Sequence, residues 1–452
     1  METNMTQGSP LKLILHFMLP LLIGNIFQQF YNMADTIIVG HFVGSKALAA
    51  VGSTGTIMFL VIGISTGMAT GFTVLTSQKY GAGDFDGTKQ SVSNGILLSA
   101  VMAVVMTVLS LLVMHPLLAL MNTPSDIYND AYSYISVICI GTAASIYYNL
   151  FSAYMRAVGN SRVPVYFLVF SALLNIVLDL VFVINFKMGT AGAAWATDLS
   201  QAISAVLCLI YIYRRMPNLR PEAHHWRLNR AYTKHQLEIG LPMAVQFGIT
   251  ASGTMIMQAA INMFGSTAVA GFTAACKVQN ILTQGMISIG QTMAAYSGQN
   301  YGKMDLARIR KGTNAAMKIS FIYSVAAGII ACLSLKYLMR LFFSADVDMA
   351  SLLPWAKTYI YECAVFYIPL CMIFIYRNTI QGCGYGGLAM LLGFTELGAR
   401  LITAVFAMKF KSYPLAAGCD AAAWFVTGIE SLGLFYIVMK DIKKRGYTKA
   451  IT

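Results

Sequence analysis

Long apolar stretches alternate with short polar ones along the whole chain, and this pattern predicts membrane-spanning helices. A helix needs about 20 consecutive apolar residues to cross the hydrocarbon core of a bilayer. Twelve such stretches can be placed, at residues 11–39, 48–77, 92–114, 127–155, 163–186, 191–213, 235–262, 268–298, 313–341, 352–380, 387–409 and 416–439. The predicted fold class is therefore an all-α polytopic membrane protein of about twelve transmembrane helices.

The composition supports a surface that faces lipid. Of 452 residues, 57% are hydrophobic and 11% are charged, whereas a soluble domain carries roughly 25% charged residues. The net charge of +13 could suggest nucleic acid, but the basic residues lie in short gaps between the apolar runs. Membrane topology explains them better, so we expect the lipid bilayer as a partner and no nucleic acid.

The distribution of lysine and arginine predicts the orientation. Cytoplasmic loops of membrane proteins are enriched in both residues, and the richest gap in this chain is segment 214–234. The short polar N-terminus lacks the features of a removable signal peptide, so the first apolar run is retained as a helix. We expect a multi-pass protein of the bacterial cytoplasmic (inner) membrane with both termini in the cytoplasm.

Internal repetition gives the domain organisation. The motif Gln78-Lys-Tyr-Gly precedes the third predicted helix, and Gln299-Asn-Tyr-Gly precedes the ninth; Pro20 and Pro242 occupy matching positions. Ala193-Ala-Trp is similarly repeated at Ala422-Ala-Trp. An even number of helices in each half makes the repeats parallel, related by a pseudo-two-fold axis along the membrane normal. The predicted domains are an N-terminal lobe (1–213), a basic cytoplasmic linker (214–234) and a C-terminal lobe with a basic tail (235–452).

Two six-helix lobes on either side of a central cavity are typical of transport by alternating access. The sequence contains no HExxH or GxxxxGK[ST] motif, which argues against an enzyme and against an ATP-driven engine. The energy would then come from an ion gradient. We predict a transporter of small molecules, monomeric and without a cofactor other than its coupling ion, H⁺ or Na⁺.

A charge within a transmembrane helix costs about 2.5–3.5 kcal/mol, so each one needs a partner or a function. In the first lobe these charges are Asp35, Asp179 and Asp198. Asn175 and Asp179 are four residues apart and share one helix face. Together with Asp35 and Thr197 they map to the outer half of the membrane, where their oxygens could bind Na⁺ or hold a proton.

For the remaining charged residues, and for a proline that interrupts a helix, both a structural and a functional interpretation are open. Asp198 points about 100° away from Thr197 and is either structural or part of the coupling site. In the second lobe, Glu396 and Arg400 are four residues apart and favour a structural ion pair over a coupling role. Lys277 has no partner that the sequence identifies. Pro20 is a candidate hinge because it shares a helix with Asp35.

The residues that carry these patterns resemble one known family. Asn32-Met-Ala-Asp35-Thr-Ile-Ile-Val-Gly40, Met155-Arg-Ala-Val-Gly-Asn160 and the repeated Gln-x-Tyr-Gly motif are similar to motifs of multidrug and toxic compound extrusion (MATE) transporters. The resemblance covers nearly the whole chain. It implies an antiporter that exports drugs, often lipophilic cations, in exchange for H⁺ or Na⁺.

The resemblance also implies a site. In the family, a helix 1 aspartate, an asparagine and an aspartate on helix 5, and a helix 6 threonine form the first-lobe cation site; they match Asp35, Asn175, Asp179 and Thr197. The main alternative is a flippase of a lipid-linked sugar precursor, which would need several basic residues in its cavity. Among the basic residues, only Lys277 and Arg400 lie away from the ends of the predicted helices. A membrane-embedded enzyme or a receptor is the alternative from another class.

Overall fold

The protein is described by a computed structural model over residues 3–120, 123–340 and 348–451, without the side chains of residues 33–36, 45, 48, 56, 120 and 446–451. Within this part the fold is helical and contains no strand. The helices are α1 (Pro10–Ile38), α2 (Ser45–Ser53), α3 (Gly55–Ala82), α4 (Phe85–Leu120), α5 (Tyr128–Ile140), α6 (Thr142–Ala157), α7 (Arg162–Leu180), α8 (Gly189–Arg215), α9 (Arg230–Asn262), α10 (Ser266–Gly302), α11 (Leu306–Arg340), α12 (Met349–Val365), α13 (Tyr367–Gly382), α14 (Gly386–Phe410), α15 (Tyr413–Ala417) and α16 (Cys419–Ile451).

The predicted polytopic, all-α fold class is confirmed. Among the described helices, nine are long and apolar enough to cross a membrane, and two bent pairs raise that number to eleven if each pair is one span. The pairs are α5 with α6, bent by 48°, and α12 with α13, bent by 54°. The remaining long helix, α10, has 37 residues but a more polar sequence.

The chain forms two compact units of similar size. The first contains Met1–Asn4 and Leu19–Gly248, and the second contains Met5–Met18 and Ile249–Thr452. The division therefore falls inside α1 and inside α9: the start of α1 belongs to the second unit, and the start of α9 belongs to the first. The first helix of each sequence repeat therefore begins in one unit and ends in the other.

Within each unit, large apolar side chains point outward, as expected for a surface in contact with lipid. Leu112 in the first unit is 70% exposed, and Ile322 and Leu333 in the second are 71% and 77% exposed. The interior combines many small residues with isoleucine, leucine, methionine and a few tyrosines. At one crossing, a side chain on Gly71 of α3 would lie 2.4 Å from the backbone of Gly240 in α9. Glycine at both positions lets these helices approach closely.

The basic segment 214–234 packs against α4 of the first unit. The carbonyl oxygen of His225 accepts hydrogen bonds from Ser93 Oγ (2.6 Å) and Gln90 Nε2 (3.2 Å), and the His225 side chain is almost fully buried. Beside it, the carboxylate of Glu222 accepts a hydrogen bond from Lys89. That contact lowers the pKa of the Glu222 carboxyl below its usual value.

Candidate functional site

Two neighbouring helices of the first unit present the polar residues of the predicted cation site. The π-helical turn Val181–Asn185 follows α7, and Gly189, with a φ of 60°, begins α8. A positive φ is accessible to glycine at little cost, so the chain can reverse here within a few residues. As a result α7 and α8 pack side by side, and residues near the end of α7 meet residues near the start of α8.

The contact between these helices joins two of the predicted residues directly. Asn175 Nδ2 on α7 donates a hydrogen bond to Thr197 Oγ1 on α8, at 3.3 Å. Asn175 and Asp179 are completely buried, and Thr197 is 5% exposed. Because Asp179 lies one helical turn from Asn175 on the same face, its carboxylate belongs to the same buried polar cluster. We refer to Asn175, Asp179 and Thr197 as the α7–α8 cluster.

The fourth predicted residue, Asp35, is in α1, but its side chain lies outside the described part of the chain. Its place in the site therefore stays a prediction. Pro20, the candidate hinge, is inside the same helix, where it removes a backbone donor. A π-helical turn, Val39–Val43, follows α1 directly.

Asp198 lies next to Thr197 in the chain but faces a different environment. It is 8% exposed and lines a small polar cavity within the first unit. One of its carboxylate oxygens, Oδ2, is buried without a hydrogen-bond partner. The carboxylate occupies space left by Gly141, the residue between α5 and α6: a Cβ there would lie 1.9 Å from the Asp198 carboxyl carbon.

Four charged residues of the second unit form an ion-pair network. Glu396 is paired with Arg377 (3.2 Å) and with Arg400 (3.4 Å). The Nε of Arg400 is 2.8 Å from Asp420 Oδ1, and the hydroxyl of Tyr359 donates to Asp420 Oδ2 at 3.0 Å. Two acids thus face two arginines. The ion pair expected between Glu396 and Arg400 is present.

Sequence reasoning missed two members of this network. Arg377 lies near the end of the predicted run 352–380 and Asp420 near the start of the run 416–439, so neither stands out in the sequence as a charge deep in a helix. Asp420 is 7% exposed, so the deeply buried acids of this half include Asp420 as well as Glu396, which the sequence singled out. One signal in the sequence could have pointed to a second acid: the predicted runs 352–380 and 387–409 contain two arginines, Arg377 and Arg400, for the one acid identified, Glu396. Lys277, in contrast, is an exposed residue of α10.

These features define a class of protein: a polytopic, two-unit membrane protein with a buried carboxylate cluster in one unit, as found among secondary transporters. A family model described as MatE matches residues 20–181 and 242–407. The chain belongs to the MATE family, which confirms the resemblance read from the motifs. The two matched stretches begin at Pro20 and Pro242, in agreement with the duplication seen in the sequence.

Curated and structural relatives agree with this assignment. The probable multidrug resistance protein YpnP of Bacillus subtilis is 28% identical over 383 residues, 84% of each chain. A MATE protein crystallised in complex with MaL6 matches with a TM-score of 0.90 at 21% identity, over 98% of this chain and 99% of the other. An outward-facing multidrug resistance MATE transporter gives a TM-score of 0.90 at 22% identity, over 97% and 98%. The chain is therefore a multi-pass membrane transporter and not an enzyme.

Proposed function

We propose that this transporter is an antiporter that exports small organic compounds, often lipophilic cations, by alternating access while H⁺ or Na⁺ enters. The observation that carries the proposal is the α7–α8 cluster, a completely buried carboxylate beside a hydrogen-bonded amide and hydroxyl. A carboxylate in this position is costly unless a cation or a proton neutralises it. The named activity of the Bacillus subtilis relative, multidrug resistance, supports the substrate class.

In this proposal Asp35, Asn175, Asp179 and Thr197 together hold the coupling cation. Carboxylate, amide and hydroxyl oxygens suit Na⁺, and a buried carboxyl can instead take up a proton. We further propose that the protein works as a monomer, with both termini and segment 214–234 in the cytoplasm. Pro20 is then the hinge of α1, where the broken hydrogen-bond pattern permits bending.

The second unit argues against the flippase alternative. Binding of a lipid-linked phosphate requires basic side chains that are available to it. Arg400 contacts both Glu396 and Asp420, and Arg377 contacts Glu396. These arginines are thus occupied by acids of the protein itself, and phosphate would have to compete with both.

The test is transport by the purified protein in liposomes. We expect efflux of a fluorescent lipophilic cation, such as ethidium, under an imposed pH gradient or an imposed Na⁺ gradient, and loss of this efflux in Asp179→Asn. The matched control is Asp126→Asn, which makes the same change at an acid that is 59% exposed in the first unit.

The possible results separate the parts of the proposal. Wild-type efflux in Asp179→Asn would overturn the assignment of the coupling site. An absence of efflux under both gradients, together with translocation of a fluorescent lipid-linked sugar, would overturn antiport in favour of the flippase. Whichever gradient drives efflux in the wild type identifies the coupling ion.

A further inference from the structure

We propose that Asp198 and the polar cavity beside it form a second binding site for a small monovalent cation in the first unit. This inference rests on the proposed antiport and extends it, because a second site changes how many cations one chain binds. The site is separate from the α7–α8 cluster, although Thr197 touches both: it bonds Asn175 and also lines the cavity. The oxygen-bearing side chains of the cavity are those of Ser65, Thr142, Ser145, Thr197, Asp198 and Gln201.

Three hydroxyl groups that line this cavity direct their protons away from Asp198. Ser65 Oγ donates to the carbonyl oxygen of Val61 at 2.7 Å, and Thr142 Oγ1 donates to that of Ile138 at 3.2 Å. Each hydroxyl has a single proton, so these two groups have none left for Asp198.

The third hydroxyl is used in the same way, because Ser145 Oγ donates to Gln201 Oε1. The oxygens of these three hydroxyl groups can therefore act in the cavity only as acceptors, through their lone pairs. A cavity that combines such oxygens with a carboxylate suits a cation and not an anion.

Charge accounting leads to the same conclusion. Asp198 takes part in none of the ion pairs found in the described chain, and its Oδ2 is buried without a partner. The thiol of Cys139 on α5, which lies close enough to interact with this carboxylate, cannot supply a positive charge. A buried carboxylate in this state is stabilised most directly by a bound cation or by a proton on the carboxylate itself.

The backbone is also shaped around this carboxylate. Gly141 lies at the 48° bend between α5 and α6, and any larger residue would overlap the Asp198 side chain. Since the overlapping atoms are at the end of a side chain, Gly141→Ala should displace the carboxylate while leaving its charge in place. This gives a test of position that is independent of a test of charge.

The experiment counts cations bound by the purified full chain in detergent. Binding of ²²Na⁺ is measured together with proton uptake between high and low pH for the wild type, Asp179→Asn, Asp198→Asn and the double variant. We expect the wild type to bind one cation more than either single variant, and the double variant to bind two fewer. A loss seen in the ²²Na⁺ count identifies Na⁺ as the ligand of that site, and a loss seen only in proton uptake identifies H⁺.

The variants distinguish a failure of this inference from a failure of the proposed function. Unchanged binding in Asp198→Asn would overturn the second site, whereas unchanged binding in Asp179→Asn would overturn the coupling site. Gly141→Ala should weaken binding at one site only. Its control, Gly52→Ala, places a methyl group in open space within the same unit and should bind as the wild type does; equal binding by both glycine variants would also contradict the proposal.

Discussion

Two groups of buried charges, one in each unit, differ in the partners that the protein gives them. In the second unit, Arg377 and Arg400 lie within ion-pair distance of Glu396 and Asp420, so four buried charges cancel inside the protein. In the first unit, Asp198 is just as buried but forms no ion pair in the part of the chain that the structure describes. The network around Arg400 is neutral as a whole, whereas Asp198 has no ion-pair partner within the described part of the chain and its Oδ2 accepts no hydrogen bond there.

This difference indicates which acids can take part in coupling. An acid held by an arginine gains little from a cation, because the arginine would first have to be displaced. An acid surrounded by hydroxyl and amide oxygens gains its neutralising charge only when a cation or a proton arrives. The comparison therefore separates an ion-pair network around Arg400 from the acids on α7 and α8 to which we assign a coupling role in the proposed function.

The largest expected effect on stability comes from removing one member of the ion-pair network around Arg400. In Arg400→Met, Asp420 loses its ion-pair partner and Glu396 keeps only Arg377. Breaking a buried ion pair by removing one partner costs about 3–5 kcal/mol, so we expect a large fall in thermal stability, measured by unfolding in detergent.

The control for this prediction removes both partners. In Arg400→Met/Asp420→Asn the uncompensated charge is gone, and Glu396 still contacts Arg377. We expect this double variant to recover much of the lost stability. Asp198→Asn, by contrast, removes a charge that has no partner and should leave the melting temperature close to that of the wild type. If Arg400→Met melted like the wild type, the contrast between the units would not hold.

A medium effect is expected at the hydrogen bond between α7 and α8. Thr197→Val keeps the shape of the side chain but removes the oxygen that accepts from Asn175. One such bond contributes about 1 kcal/mol to stability, so the variant should remain folded while cation-driven efflux falls sharply.

Thr197→Ser is the matched variant, since it retains the hydroxyl and loses only a methyl group. We expect its efflux and cation dependence to stay near those of the wild type. The measurement is the cation concentration that gives half-maximal efflux in liposomes. Equal efflux by the valine and serine variants would show that the hydroxyl has no part in the coupling site.

The helical period and the cost of buried charge predicted a large part of this arrangement. Asn175 and Asp179 share a face because of their spacing alone, and the twelve apolar runs outlined the fold. The breaks at Gly141 and Phe366 were not predicted, because a bend leaves no mark in a continuous apolar run. Asp420 was missed for a related reason: its burial is set by Arg400 and Tyr359, which lie far from it in the sequence.

The smallest effect is expected where a charge pair lies in water. Glu222 of segment 214–234, whose partner Lys89 lies on α4, is half exposed. Exposed ion pairs contribute little to stability. Lys89 lowers the pKa of Glu222. The stability that this ion pair contributes is therefore present above the ordinary pKa of glutamate and is lost as the pH falls through the lowered pKa of Glu222. Glu222→Gln should therefore melt slightly below the wild type at pH 7 and together with it in acid.

The control is Glu238→Gln on α9, whose carboxylate is 3.8 Å from Lys234, too far for a hydrogen bond. This variant should follow the wild type across the same pH range. A loss of stability in Glu222→Gln as large as that in Arg400→Met would mean that segment 214–234 holds the first unit together. The first unit would then depend on a charge pair as much as the second does, and the comparison would have to be drawn between exposed and buried networks instead of between the two units.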